Sequence, residues 1–262
     1  MCWSAEASFA LATVGFATVG VAAKQGEKKE LFLPLLWFSL MELLQGFTYW
    51  WIDMCDSPPN QVLTLLGYLH IAFQPFFANM ISMYFLPEGV HRRLAPWVYS
   101  LCFAGAIAMI IDIYPFAWAE HSTLHMLDST KLCSVSGDWH IAWHVPVFDT
   151  SWARFGFVKE PYFIMVFLVP LLYGSWKFTL YHILTGVILS VALTRDSHET
   201  AAVWCLLWLQ IGLLTVVAKT PIRKVLFIRR WYGVHHPRWL GGEGRRRVLA
   251  TPDAATGSAL DT

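Results

Sequence analysis

The feature that most constrains this chain is a succession of apolar runs, each about the length that crosses a bilayer. A spanning helix needs about 20 mostly apolar residues. Seven stretches qualify, at residues 4–23, 31–51, 61–86, 94–118, 161–175, 176–194 and 201–218. Polar or turn-forming segments separate them, including Pro58-Pro59 and Pro87. Charged residues make up only 14% of the chain, against about 25% in soluble domains. The fifth and sixth runs are split at Gly174-Ser175, because one helix over both would reach about 51 Å at 1.5 Å per residue. No A-x-A-like cleavage site follows the first run, so it reads as a retained span.

Charge then orients the chain. With alternate loops assigned to opposite sides, one side collects Lys24, Lys28, Lys29, Arg92, Arg93, Lys177 and every basic residue from Lys219 onward, 15 of the 19 Lys and Arg. The other side receives Lys131, Arg154, Lys159 and Arg195. Positive residues favour the cytoplasmic side. The expected fold is therefore an all-α integral membrane protein with seven transmembrane helices, N-terminus outside and C-terminus inside. Residues 1–230 form one membrane domain with an external loop at 119–160, and 231–262 form a cytoplasmic tail, disordered towards its Gly-, Ala- and Arg-rich end. The segment from Lys219 to Arg230 is expected to lie on anionic lipid headgroups. The bilayer is the main partner, and nothing suggests nucleic acid. Cys55 and Cys133 both fall in external loops, where a disulfide can form or two free thiols can persist.

Ionisable residues within spans are costly and mark candidate sites. Glu42 and Gln45, three apart, share a helix face in the second run. His70 and Gln74, four apart, share one in the third, just before Pro75. Asp112 lies in the outer half of the fourth. In the loop, His140 and His144 have the i, i+4 spacing that presents both imidazoles from one helix face, a common metal-ligand geometry. Removal of Met1 would expose the amine and thiol of Cys2, a further candidate ligand. These residues point to a divalent metal, with zinc, iron and copper all compatible. His70, His140, His144 and Cys2 are its candidate ligands. Glu42 and Asp112 are the candidate proton-handling residues, with Gln45 and Gln74 beside them. Each also has a plain structural alternative. Glu42 and His70 can bond between helices, His140 and His144 can sit on a solvated loop helix, and Cys2 can simply be buried at the interface. A retinal Schiff base is disfavoured, because the seventh run has no Lys before Lys219.

Several segments resemble a family. Met1-Cys2-Trp3-Ser4, Met41-Glu42-Leu43-Leu44-Gln45, Leu69-His70-Ile71-Ala72-Phe73-Gln74-Pro75-Phe76-Phe77, Gly137-Asp138-Trp139-His140-Ile141-Ala142-Trp143, Ala202-Val203-Trp204-Cys205 and Lys219-Thr220-Pro221-Ile222-Arg223 are similar to an uncharacterised bacterial multi-pass membrane family, DUF5765. The resemblance covers nearly the whole chain and implies seven spans in an inner (plasma) membrane, with no activity attached. A distant analogy is to the alkaline ceramidase and progestin-receptor-like seven-span metal hydrolases. Those carry an H-x-x-x-H pair in the last helix, whereas here it is His140/His144 in a loop. The functional expectation is a membrane-embedded, metal-dependent enzyme, a hydrolase or oxidoreductase, acting on a lipid or apolar small molecule in the outer half of the bundle. The alternatives are a transporter or small-ligand carrier, and a non-catalytic receptor or accessory subunit.

Overall fold

The computed structural model describes residues 3–122, 125–149 and 161–228. Four long helices come first: α1 (Ala5–Lys24), α2 (Lys29–Thr48), α3 (Pro58–Tyr84) and α4 (Glu88–Asp112). A segment with four short strands follows: β1 (Glu120–His121), β2 (Cys133–Ser136), β3 (Ile141–His144) and β4 (Phe148–Asp149). The chain then returns to helix in α5 (Pro161–Leu172), α6 (Trp176–Leu193), α7 (residues 197–217) and a short α8 (Pro221–Leu226). The protein is mostly helical, and α1, α2, α3, α4 and α6 are long and apolar enough to cross a membrane. At 1.5 Å per residue, α5 extends only about 18 Å. α7 is interrupted by the π-helical stretch Cys205–Gly212.

Local chemistry explains the ends of these rods. The Ser4 side chain accepts the Ala7 N–H at the start of α1, a typical N-cap. α1 closes at Gly26, whose φ of +71° suits glycine. Pro58 opens α3, where its missing N–H costs nothing. The α5–α6 break falls at Gly174, with φ +90°, as the sequence predicts. Along the rods, large apolar side chains such as Leu40, Leu66, Trp97, Leu101, Phe103 and Ile188 face outward. That coat is compatible with lipid and unfavourable in water.

The rods alternate in direction, so the bundle has two distinct ends. At the tail end, Glu27 pairs with Arg223 at 2.6 Å and Lys219 at 3.1 Å, and Lys28 pairs with Glu88 at 2.9 Å. At the loop end, the antiparallel β2–β3 hairpin caps the helices, with Cys133 opposite His144 and Ser136 opposite Ile141. Asn60 of α3 both donates to the Ser134 carbonyl and accepts its N–H, at 2.8 and 3.0 Å. The Asp53 carboxylate accepts the Ser136 N–H and hydroxyl at 2.7 and 2.6 Å. A Cys55–Cys133 disulfide joins the hairpin covalently to the α2–α3 turn.

The hairpin corrects one expectation. His140 and His144 do not lie on a helix: His140 immediately precedes β3 and His144 ends it. An i, i+4 pair in extended chain is separated by about 13 Å, at about 3.3 Å per residue, so the spacing loses its chelating geometry.

Candidate functional site

One face of α2 carries Glu42, Gln45 and, just past its end, Tyr49, at i, i+3 and i+7 spacing. Glu42 and Gln45 are each only 1% exposed. Neither Glu42 carboxyl oxygen has a hydrogen-bond partner, nor does either polar atom of the Gln45 amide. The Ser8 hydroxyl of α1 approaches the Glu42 carboxyl without making a well-formed bond to it. Buried polar atoms in folded proteins are nearly always paired. An unpaired one costs about 1–3 kcal/mol, and a charged one costs more.

The loop end closes over this face. The Tyr49 hydroxyl lies 2.8 Å from His140 Nδ1, and the two rings stack with centroids 5.9 Å apart. The Trp3 ring also lies beside His140, with centroids 5.9 Å apart and a tilt of 33°. The Trp3 N–H donates to the Trp139 carbonyl at 2.9 Å, and its indole Nε1–H donates to Ser8 Oγ at 2.7 Å. Contacts therefore run from Glu42 through Ser8, Trp3, His140 and Tyr49 back to α2, the helix whose same face carries Gln45. His140 is 1% exposed, and its Nε2 also lacks a partner. Of the ten buried, partnerless side-chain atoms among the described residues, five belong to Glu42, Gln45 and His140. That concentration marks Glu42, Gln45 and His140 as the candidate ligand chamber.

The hydrogen bonds fix the His140 tautomer. The Ile141 backbone N–H donates to Nδ1 at 2.8 Å, so Nδ1 is the acceptor and Nε2 carries the proton. Burial pushes the imidazole from its ordinary value down to about 3, which keeps it neutral at physiological pH. His140 therefore offers the chamber one N–H donor. Metal ligation through Nε2 would require the proton on Nδ1, where it would face the Ile141 N–H.

His140 is held in place by Glu199, in the first turn of α7. This fully buried carboxylate accepts the Trp139 N–H at 2.5 Å, the His140 N–H, and the Thr194 hydroxyl at 2.5 Å. The chain approaches closely enough that a Cβ at Gly137 would lie 2.6 Å from Glu199 Oε1. Glu199 and the 137–140 turn are some 60 residues apart in sequence, and sequence reasoning missed this clasp. Tyr49, Trp3 and Ser8 were missed too. The available signal was the Gly137-Asp138 pair between β-prone residues, a hairpin cue.

The remaining candidates are not part of this run of contacts, although Cys205, beside Gln74, lies within electrostatic reach of Glu42. His70 Nε2 bonds the Trp37 carbonyl at 2.8 Å, and its ring stacks on Trp37 at 4.2 Å. Trp37 and Tyr49 are twelve residues apart on α2, about 18 Å of rise, so His70 and His140 sit at different depths. His144 bonds Ser129 Oγ at 3.2 Å and stacks on His198 at 4.5 Å. Asp112 ends α4, which packs chiefly on α3, one helix removed from Glu42. Gln74 donates to Cys205 Sγ at 3.2 Å and accepts from the Tyr162 hydroxyl at 2.8 Å. Gln74 and Cys205 form the polar side of an apolar cleft lined also by Ile71, Met109, Phe163 and Trp204. Cys2 lies outside the described residues. Among the described residues, no three His, Cys, Asp or Glu come together to hold an ion.

No curated protein and no solved structure matches the chain, and the distant likeness to seven-span metal hydrolases gains no support. A family model does match, over residues 6–227. The chain therefore belongs to the family of unknown function DUF5765.

Proposed function

We propose that this chain is a seven-span protein of an inner (plasma) membrane. Its N-terminus and hairpin lie outside, and its basic tail lies inside, against anionic headgroups. In the outer half of the bundle it binds a small polar molecule between Glu42, Gln45 and His140, as a carrier or binding subunit. The carrying observation is the enclosed set of five unpartnered polar atoms. Three are carboxyl or amide oxygens that accept, and two are N–H donors, so the chamber is chemically prepared for a ligand rather than for packing. The orientation is supported by the gathering of Lys28, Lys177, Lys219 and Arg223 at the end opposite the disulfide.

Native mass spectrometry of the purified protein tests the binding reading. A bound small molecule is expected in the wild type and lost in Gln45→Leu, with the disulfide and fold retained. A wild type carrying nothing but lipid on its surface, and responding to no small-molecule probe, sinks it. A reporter fused at Thr262 should be active only in the cytoplasm. A second reading, an enzyme acting on an apolar molecule, draws on the cleft beside Gln74 and Cys205. It requires turnover that falls on substituting Gln74 and is indifferent to Gln45.

A further inference from the structure

The donor and acceptor pattern of the chamber narrows its ligand, and this inference rests on the binding reading above. Glu42 presents two unpartnered oxygens, and no Lys or Arg among the described residues stands beside it to balance a charge. The ion pairs of Glu27 and Glu88 lie at the tail end of the bundle. A buried carboxylate of this kind is best satisfied by a cation that also donates N–H bonds. Gln45 Oε1, one turn further on the same face, adds a third acceptor. The aromatic rings of Trp3 and Tyr49, both beside His140, favour a positive charge close to them.

The far side of the chamber has the opposite character. His140 Nε2 is an N–H, because Nδ1 is occupied by the Ile141 N–H, and the imidazole is neutral. The Gln45 amide adds N–H donors of its own. A bare metal ion or a featureless cation leaves these donors unmatched. A free anion leaves Glu42 unmatched.

We propose that the chamber takes a primary ammonium group with an oxygen acceptor a few bonds away. The ammonium sits at Glu42 and Gln45 Oε1, and the oxygen at His140 Nε2–H and the Gln45 amide. This is aminoethoxy chemistry, carried by a free amino alcohol or by the headgroup of an aminophospholipid. A quaternary ammonium has no N–H to give and does not fit.

The test uses the full chain, purified with its disulfide intact, and reads thermal unfolding in detergent with millimolar ethanolamine, choline or ethylene glycol. Ethanolamine is expected to raise the midpoint, and the other two to leave it unchanged. Lipid discs of phosphatidylethanolamine and of phosphatidylcholine distinguish the sources. If the headgroup is the occupant, the ethanolamine lipid stabilises and added free ethanolamine gives no further shift. If the free molecule is the occupant, both discs behave alike and ethanolamine still shifts them. Glu42→Gln should abolish the response. Should that variant fail to fold, Gln45→Leu should weaken it at least tenfold. Choline matching ethanolamine, a wild-type response in Glu42→Gln, or no response to any ammonium probe overturns the assignment. A bound mass lost in Gln45→Leu, in a protein indifferent to all amines, refutes this inference and leaves the binding reading intact.

Discussion

Removing the Glu199 carboxylate should release the loop that positions His140. The carboxylate accepts three hydrogen bonds, two from backbone N–H groups and one from Thr194. Bonds to a charged partner contribute about 1.5–3 kcal/mol each, against about 0.5–1.5 for neutral ones. In Glu199→Gln the amide oxygen can keep both backbone donors, so the loss is the charge assistance, about 2–3 kcal/mol in all. In Glu199→Ala all three donors lose their partner in a buried setting, at about 1–3 kcal/mol each. The expected local cost is then about 3–5 kcal/mol, near the upper range for single substitutions. The disulfide keeps the hairpin tethered, so the loss appears locally before it appears globally. The assay is hydrogen exchange at the Trp139 and His140 amides, read by mass spectrometry in lipid discs. At 1.4 kcal/mol per decade, about 3 kcal/mol accelerates exchange about a hundredfold. Exchange within about threefold of wild type in both variants would refute the clasp as the anchor of His140.

Gly137→Ala should reproduce much of the Glu199→Ala behaviour, because its Cβ would displace the carboxylate it meets at 2.6 Å; the same exchange measurement checks it. Cys55→Ser opens a crosslink spanning 78 residues, and chain-entropy reasoning puts the cost at up to about 4.5 kcal/mol, measurable by unfolding in mixed micelles. Burial pulls His140 down to about 3 and His125 down to about 4. Both must stay neutral in the fold, so stability is complete above about pH 6.5 and falls as pH drops, by about 1.4 kcal/mol per unit for each His. An acid titration of stability that stays flat from pH 7 to 4.5 contradicts this. Glu27→Gln should free α8 and speed tryptic cleavage after Arg223 and Lys224. In the wild type, hydrogen bonding from Arg223 holds the Glu27 carboxyl below its ordinary range, so the same release should appear only once the pH falls below that range.

The rods were legible because apolar length and basic flanks are local properties. Gly174 marked the α5–α6 turn, where the backbone does adopt positive φ. Both Cys55 and Cys133 read as lying in loops on one side, which left a disulfide and two free thiols open, and the structure forms the disulfide. Glu42 and Gln45 were legible as a buried polar pair, since their three-residue spacing holds on any helix. The partners of that pair were not. Glu199 sits in a stretch of polar residues, 195–200, that reads as a solvated turn, and its burial depends on a hairpin far away in sequence. His140 illustrates the converse. Four-residue spacing fits both one turn of helix and two repeats of a strand, and periodicity over so short a window does not decide between them. His70 failed as a partner for His140 because depth along a helix, not face alone, determines which residues meet.

The hairpin also acts as a strut. Its base is bolted to the α2–α3 turn by the Cys55–Cys133 bond, and its tip is clasped by Glu199 of α7. Prying α2 away from α7 would strain a covalent link or break the carboxylate's bonds, so these two walls of the chamber move as one frame. α1 is different. Only 22% of its apolar window is buried, against 56% for α2 and 50% for α3. It meets the hairpin through Trp3, whose N–H donates to the Trp139 carbonyl and whose ring lies beside His140; the Trp3–Ser8 bond orients that indole on its own helix. Trp3 therefore pins the outer end of α1 to the hairpin, while the body of the helix packs along α2.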